Sequence, residues 1–189
     1  MVRFSVTDFC HQFISTYISK GAFCVDATAG NGYDTEFLCR LTGEEGKVLA
    51  FDVQKVAVDA TRARLFRLGL ERIGEVVLDS HDQMDHYLEP ESVDCIMFNF
   101  GYLPGGDHSM ATKPDTSLSA IHQGLVCLKP GGLMCLCIYS GGDTGFAERD
   151  ALLPFVKKLD PKEYLVIVSD YANRPGNPPI PVFILKGVC

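Results

Sequence analysis

The sequence predicts an α/β protein built on an open, mostly parallel sheet of seven strands with helices on both faces. Short apolar runs rich in β-branched residues alternate with longer segments of helical periodicity, which is the pattern of successive strand–helix units. The alternation closes on two extra strands, with no second half of the kind a dinucleotide-binding sheet carries. At 189 residues and 47% hydrophobic, the chain suits one domain, expected to span 1–189, with a sizeable core.

The first helix is expected over Asp8 to Ile18, with Phe9, Phe13, Ile14 and Tyr17 on one face and Gly21 ending it, packed on an edge of the sheet or site. Strand one is Ala22 to Asp26, followed by a glycine loop and a helix over Tyr33 to Leu41 that Gly43 closes. Strand two, Lys47 to Asp52, precedes a helix over Val56 to Leu68; strand three, Val76 to Asp79, precedes a short helix over Gln83 to Leu88. Strand four, Val93 to Asn99, opens into the least regular stretch, NFGYLPGGDHSMATKPDT. A helix over Thr116 to Leu128, a turn at Lys129-Pro130-Gly131-Gly132 and strand five, Leu133 to Tyr139, come next. A helix over Ala147 to Leu159 and strands Tyr164 to Asp170 and Val182 to Lys186 complete the pattern.

A net charge of −7 argues against a protein that lives on bulk phosphate contacts, so a nucleic-acid substrate needs a local basic patch. Lys113 and Arg174, in loops, are the candidates, whereas Arg62, Arg64, Arg67, Arg72, Lys157, Lys158 and Lys162 read as solvated helix faces. No apolar run reaches the roughly 18 to 20 residues of a membrane span, and the amphipathic N-terminus has no signal-like core, which predicts a cytoplasmic protein. The eight cysteines stand singly with no CxxC pair, so reduced, buried thiols are expected; Cys135 and Cys137 would share one face of a strand. Five dispersed histidines predict no metal site.

In an open parallel sheet, ligands sit off the carboxyl ends of the strands. After strand one, Asp26-Ala27-Thr28-Ala29-Gly30-Asn31-Gly32 has glycines that let the backbone turn and approach a ligand, with Thr28 where a third glycine is common. The stretch lacks the Gly-x-Gly-x-x-Gly of dinucleotide binders. S-adenosylmethionine presents an amino group, a carboxylate and a ribose, for which Asp26, Asn31 and Asp34 are suited, with Thr35 beside them. A plain strand-to-helix turn capped by Asp34 and Thr35 is the alternative. Asp52, with Gln54, ends strand two where a carboxylate pairs with ribose hydroxyls; the alternative is a helix N-cap. Ser80 and a neutral His81 after strand three suit the adenine edge or the ribose, or else a helix cap.

Strand four's exit, Asn99-Phe100-Gly101-Tyr102-Leu103-Pro104, lies where a methyl acceptor belongs. Its Asn resembles the start of the Asn-Pro-Pro-Tyr motif of amino-group methyltransferases, without the proline pair; Asn99 and Tyr102 are the candidate acceptor-side residues. Gly105-Gly106-Asp107-His108 reads as a lid or recognition loop, or as a plain surface loop. Transfer to an amine needs positioning and no covalent nucleophile; Asn99, Asp107 or water can take the proton. Carbon-5 methylation of a pyrimidine would need a loop cysteine, and no Pro-Cys pair occurs.

Taken together, DATAGNGYDT, FDVQ, DSH, NFGYLPGGDHS with TKPDTSLSAI, IYSGGD and ANRPGNPP resemble the YtqB-like family of rRNA methylases, in order and over almost the whole chain. The resemblance implies a Rossmann-like class I methyltransferase using S-adenosylmethionine. For members called MnmM it implies methylation of the aminomethyl group of wobble 5-aminomethyl-2-thiouridine in tRNA. It matches Asn31, Asp34, Asp52, Gln54, Ser80 and His81 to the cofactor side and Asn99 to Gly106 to the acceptor side. Tyr33, His108 and Ser140-Gly141-Gly142 depart from the family pattern near the RNA side. The alternatives are an rRNA-base or small-molecule amine methyltransferase, a binding module without catalysis and, last, a dehydrogenase. A homodimer is expected because an RNA acceptor is larger than one small subunit's crevice.

Overall fold

Ser5 opens the first helix, α1 (Val6–Tyr17), of a computed structural model that describes residues 5–100, 112–140 and 145–188. The Ser5 hydroxyl accepts from the Asp8 amide at 3.1 Å and the Asp8 carboxylate accepts from the Ser5 amide at 2.9 Å, a reciprocal cap. Asp8 therefore sits inside the first turn, and the helix starts earlier than predicted. Gly21 does not end it: the chain leaves the helix at the extended Ile18, and Gly21, at φ 81°, turns it toward the sheet.

The remaining elements are β1 (Phe23–Asp26), α2 (Tyr33–Thr42), β2 (Lys47–Asp52), α3 (Lys55–Leu68), β3 (Gly74–Leu78), β4 (Val93–Phe100), α4 (Pro114–Cys127), β5 (Leu128–Ile138), α5 (Gly145–Val156), β6 (Tyr164–Val168) and β7 (Ile180–Lys186). The helix predicted over Gln83 to Leu88 is instead a 3-10 segment, His81–His86, broken at Gln83, whose ψ of 15° leaves the helical path. The predicted turn at Lys129 to Gly132 lies inside β5. Leu128 already pairs with Val93, and Leu133 pairs with Cys95, so the tetrapeptide bulges from the ladder. α5 stops at Val156 rather than Leu159, and the chain continues in tighter turns such as Lys158 N to Phe155 O. Pro154 contributes no amide hydrogen to this last stretch.

The sheet has seven strands in the order β3-β2-β1-β4-β5-β7-β6. All neighbours are parallel except β7, which runs antiparallel to β5 and β6. Alternation along the strands sends Phe51, Ile96, Phe98, Met134 and Leu136 to a core under α4 and α5. It sends Val48, Ala50, Cys95, Met97, Cys135 and Phe183 to a second core that α1, α2 and α3 cover. On that face Phe13 stacks on Phe183 with ring centroids 3.8 Å apart, which seats α1 across β7. The cysteines among the described residues are free and buried, Cys135 and Cys137 on the same face; Cys189 lies outside them. Among the described residues no helix is long and apolar enough to cross a membrane.

Candidate active site

Strand order reverses between β1 and β4, so the chain leaves their carboxyl ends toward opposite sides and opens a cleft of about 1290 Å³. That exceeds the space a single drug-sized ligand needs, roughly 300–1,000 Å³. The loops after β1, β2 and β3 and the end of β4 line it, and α1 and the start of α4 close its rim.

The loop after β1 is held by side chains from the next strand and helix. Asp52 accepts the Gly30 amide with one carboxylate oxygen and the Gln54 amide with the other, both at 2.9 Å. Thr61 donates to the Gly30 carbonyl at 3.1 Å and Arg64 to the Asn31 carbonyl at 2.9 Å. The Arg64 guanidinium also pairs with Glu36 at 2.8 Å and lies 3.7 Å over the Tyr33 ring. Gly32 takes φ 77° as the N-cap of α2, and a Cβ there would meet Thr61 at 2.9 Å, so only glycine fits. Asp52 does not cap the next helix; Gln54 occupies that position with its backbone alone.

Asp26 is fully buried behind the loop, accepting from the Thr28 amide at 3.0 Å and the Thr35 hydroxyl at 2.6 Å. Burial first, then the neighbouring Asp34 carboxylate, push its acid up to about 7. Thr28, where a third glycine is common, lines the cleft and also serves the framework. Its hydroxyl accepts from the Asn99 backbone N–H at 2.8 Å and ties the loop after β1 to the end of β4.

Asp34 joins three elements. One carboxylate oxygen lies 2.7 Å from His11 Nε2 of α1, and the other accepts from Asn99 Nδ2 at 3.2 Å. The His11 ring lies flat on Phe37, centroids 3.7 Å apart and planes 6° from parallel. Asn99 Oδ1 is buried with no hydrogen-bond partner among the described residues. His81 is similar: Nδ1 meets the Ala27 carbonyl at 3.2 Å, while buried Nε2 has no partner among the described residues. Desolvation pulls the His81 imidazole below its ordinary value, keeping it neutral. Ser80 donates its amide to Asp79, whose other oxygen accepts from Tyr87 at 2.7 Å.

At the rim, Glu148 of α5 is almost wholly buried and accepts from Ser117 and from Thr112 at 2.9 Å, fastening the start of α4. Burial raises its acid.

Gly30, Asn31, Asp34, Asp52, Gln54, Ser80, His81 and Asn99 thus converge on the cleft wall, as does Lys113. Asp26, Gly32 and Thr35 support the wall from behind. Arg174 is exposed on the loop before β7. Tyr102, Asp107, Gly101, Leu103, Pro104, Gly105, Gly106 and His108 lie outside the described residues, as do Gly141 and Gly142. Two contributors went unread in the sequence. His11 carries no motif, although it sits in the middle of an amphipathic helix whose other face is apolar; Arg64, read as a solvated face, grips the glycine loop.

The sequence profile of the family described as "Putative rRNA methylase" matches residues 48–185. The chain is 33% identical over 205 residues to the chloroplastic tRNA (mnm(5)s(2)U34)-methyltransferase of Arabidopsis thaliana, covering 97% of this chain and 70% of that protein. A crystal structure described as a "putative rRNA-methylase" from Clostridium thermocellum superposes with a TM-score of 0.94 at 40% identity, over 98% of this chain and 100% of that one. A "putative methyltransferase" from Streptococcus mutans, solved in complex with SAH, superposes with a TM-score of 0.87 at 36% identity, over 98% and 99% of the two chains.

Proposed function

The chain belongs to the rRNA methylase family, and from that premise we propose that it is an S-adenosylmethionine-dependent methyltransferase that methylates the aminomethyl group of wobble 5-aminomethyl-2-thiouridine in tRNA, giving the methylaminomethyl form. The observation that carries the amine reading is Asn99 Oδ1, a buried acceptor at the exit of β4 with no donor among the described residues. A primary amine supplies the missing N–H.

The wall fits the cofactor. Asp52 keeps spare lone pairs on both oxygens for a ribose diol, and the positive φ of Gly30 brings bare backbone to the methionine end beside Asn31; Asp34, with its oxygens on His11 and Asn99, stands between that end and the acceptor. His81 Nε2, without a partner among the described residues, suits the nucleoside end with Ser80 and Gln54. When bound, the cofactor supplies a sulfonium methyl group. A neutral amine would take that methyl as the S–C bond breaks, leaving S-adenosylhomocysteine, and the ammonium formed would pass one proton to Asp107 or water. Asn99 holds the amine so that its lone pair points along that line, which is catalysis by orientation. Asp34, Asp52 and Asp79 give the cleft an acidic interior that suits a cationic donor, while Lys113 stands at the rim where RNA phosphate arrives. Tyr102 as a ring stacked on the base and Asp107 as a proton acceptor complete the proposal from the sequence.

Mass spectrometry of wobble nucleosides tests it. Unmethylated tRNA incubated with enzyme and S-adenosylmethionine gains one methyl on aminomethyl-thiouridine; methyl incorporation into rRNA or a free amine instead would reassign the acceptor. We further read the enzyme as a cytoplasmic homodimer, checked by sedimentation equilibrium at twice the chain mass.

A further inference from the structure

His11 reaches the cleft from α1, the helix that precedes the strand–helix alternation, and it touches the acceptor side through a single intermediary. Its Nε2 lies 2.7 Å from Asp34 Oδ1, and Asp34 Oδ2 lies 3.2 Å from Asn99 Nδ2. A carboxylate has no hydrogen to give, so the half of the Asn99 amide that faces it is the NH2. The carbonyl oxygen is thereby turned the other way, and it is this oxygen that is buried and unpartnered among the described residues. The orientation of the Asn99 amide is therefore a consequence of where Asp34 stands.

Asp34 is held in place by His11. The carboxylate can rotate about its last torsion, and a donor on the far oxygen stops it. His11 can act as that donor because its own ring is clamped flat on Phe37, 3.7 Å away. The pair is also sheltered, with the Asp34 side chain 8% exposed and that of His11 21%. Its geometry is thus less open to water than an exposed surface ion pair, whose contribution is small. The Thr28 hydroxyl fixes the Asn99 backbone at 2.8 Å, so the side-chain amide is the one part of Asn99 left for Asp34 to set.

We propose that His11 is a positioning residue for the acceptor: by bonding Asp34 it locks the Asn99 amide with Oδ1 presented to the acceptor amine. The proposal rests on the reading of Asn99 as the amide that receives that amine, and it adds a helix outside the sheet pattern to the acceptor site.

Two substitutions and two readouts test it. His11→Phe keeps the stack on Phe37 and deletes the donor; His11→Gln restores an N–H near the position of Nε2. With the full-length enzyme and unmethylated tRNA, His11→Phe lowers kcat by about tenfold or more, the scale of a misplaced reacting group. Its affinity for S-adenosylhomocysteine by titration calorimetry and its melting temperature stay at wild-type values, and His11→Gln recovers most of kcat. The second readout needs no substrate. The Asn99 side-chain amide pair, assigned by its disappearance in Asn99→Ser, shifts in the 1H–15N spectrum of His11→Phe and returns in His11→Gln. An unchanged kcat in His11→Phe, an equal loss in His11→Gln, a loss that tracks cofactor affinity or melting, or an unmoved Asn99 resonance overturns the proposal. A wild-type enzyme that methylates no tRNA overturns the functional reading instead, and the Asn99 resonance still decides whether His11 sets the amide.

Discussion

Under the proposed assignment of donor and acceptor, the two sides of the cleft are built differently. On the donor side the glycine loop is held through its backbone: Asp52 takes an amide, while Thr61 and Arg64 hold its carbonyls. These partners come from the adjacent strand and helix, and the backbone groups they take are satisfied. On the acceptor side the contacts are between side chains from elements far apart in the chain, α1, α2 and β4, and they leave Asn99 Oδ1 unpaired among the described residues. The donor side presents a preformed backbone surface, with His81 Nε2 left unpaired among the described residues for the nucleoside, to a ligand that is the same in every turnover. An acceptor side with an unsatisfied buried oxygen favours whatever substrate brings the missing donor, which makes it the seat of specificity.

The largest expected effect that separates the two is that of Asn99→Ala, which lowers kcat by about a hundredfold while leaving S-adenosylhomocysteine binding unchanged. A parallel loss of cofactor affinity in calorimetry would merge the two sides into one unit. Next comes Asp52→Ala, which weakens S-adenosylhomocysteine binding by about 1–3 kcal/mol through lost charge-assisted hydrogen bonds. An affinity equal to wild type would move the ribose away from β2.

The smallest effect is on pH dependence, and it concerns the support behind both sides. Burial raises the Asp26 acid from 3.8 to about 7, so the folded state holds this proton more tightly than the unfolded chain does. The stability it contributes is fully present below 3.8 and is lost as pH rises toward about 7. Asp26→Asn keeps an acceptor for the Thr28 amide and carries no titrating proton. Its urea midpoint, measured between pH 5 and 8, therefore falls less with rising pH than that of the wild type. Glu148, raised by its own burial, leaves part of the slope in place.

The strands and helices were readable because each is encoded by neighbours. Period-two and period-3.6 apolar patterns place a residue on a face without reference to the rest of the chain, and the predicted β2 matches the observed Lys47–Asp52. The errors fell where a local cue had two meanings. Asp8 read as a helix start is the fourth residue of a capping box that Ser5 begins, and Lys129-Pro130-Gly131-Gly132, a turn by composition, is a bulge because Leu128 pairs before it. The cleft residues at strand ends were foreseeable for the same topological reason that any parallel sheet puts its ligands there. Thr28 stood out in the sequence as a departure from a glycine, and its role in accepting the Asn99 backbone N–H became visible once β1 and β4 were side by side.

By itself the sequence determined the order of strands and helices, the glycine turn after β1, the carboxylate that ends β2 and the amide near the end of β4, since all of these follow from short-range stereochemistry and the direction of a parallel sheet. Tertiary structure alone decided that His11 meets Asp34, that Arg64 grips Asn31, and which way the Asn99 amide faces. Those contacts join residues 23, 33 and 65 positions apart, and no local pattern encodes a distance that only the packing of α1, α2 and α3 against one face of the sheet brings to hydrogen-bond range.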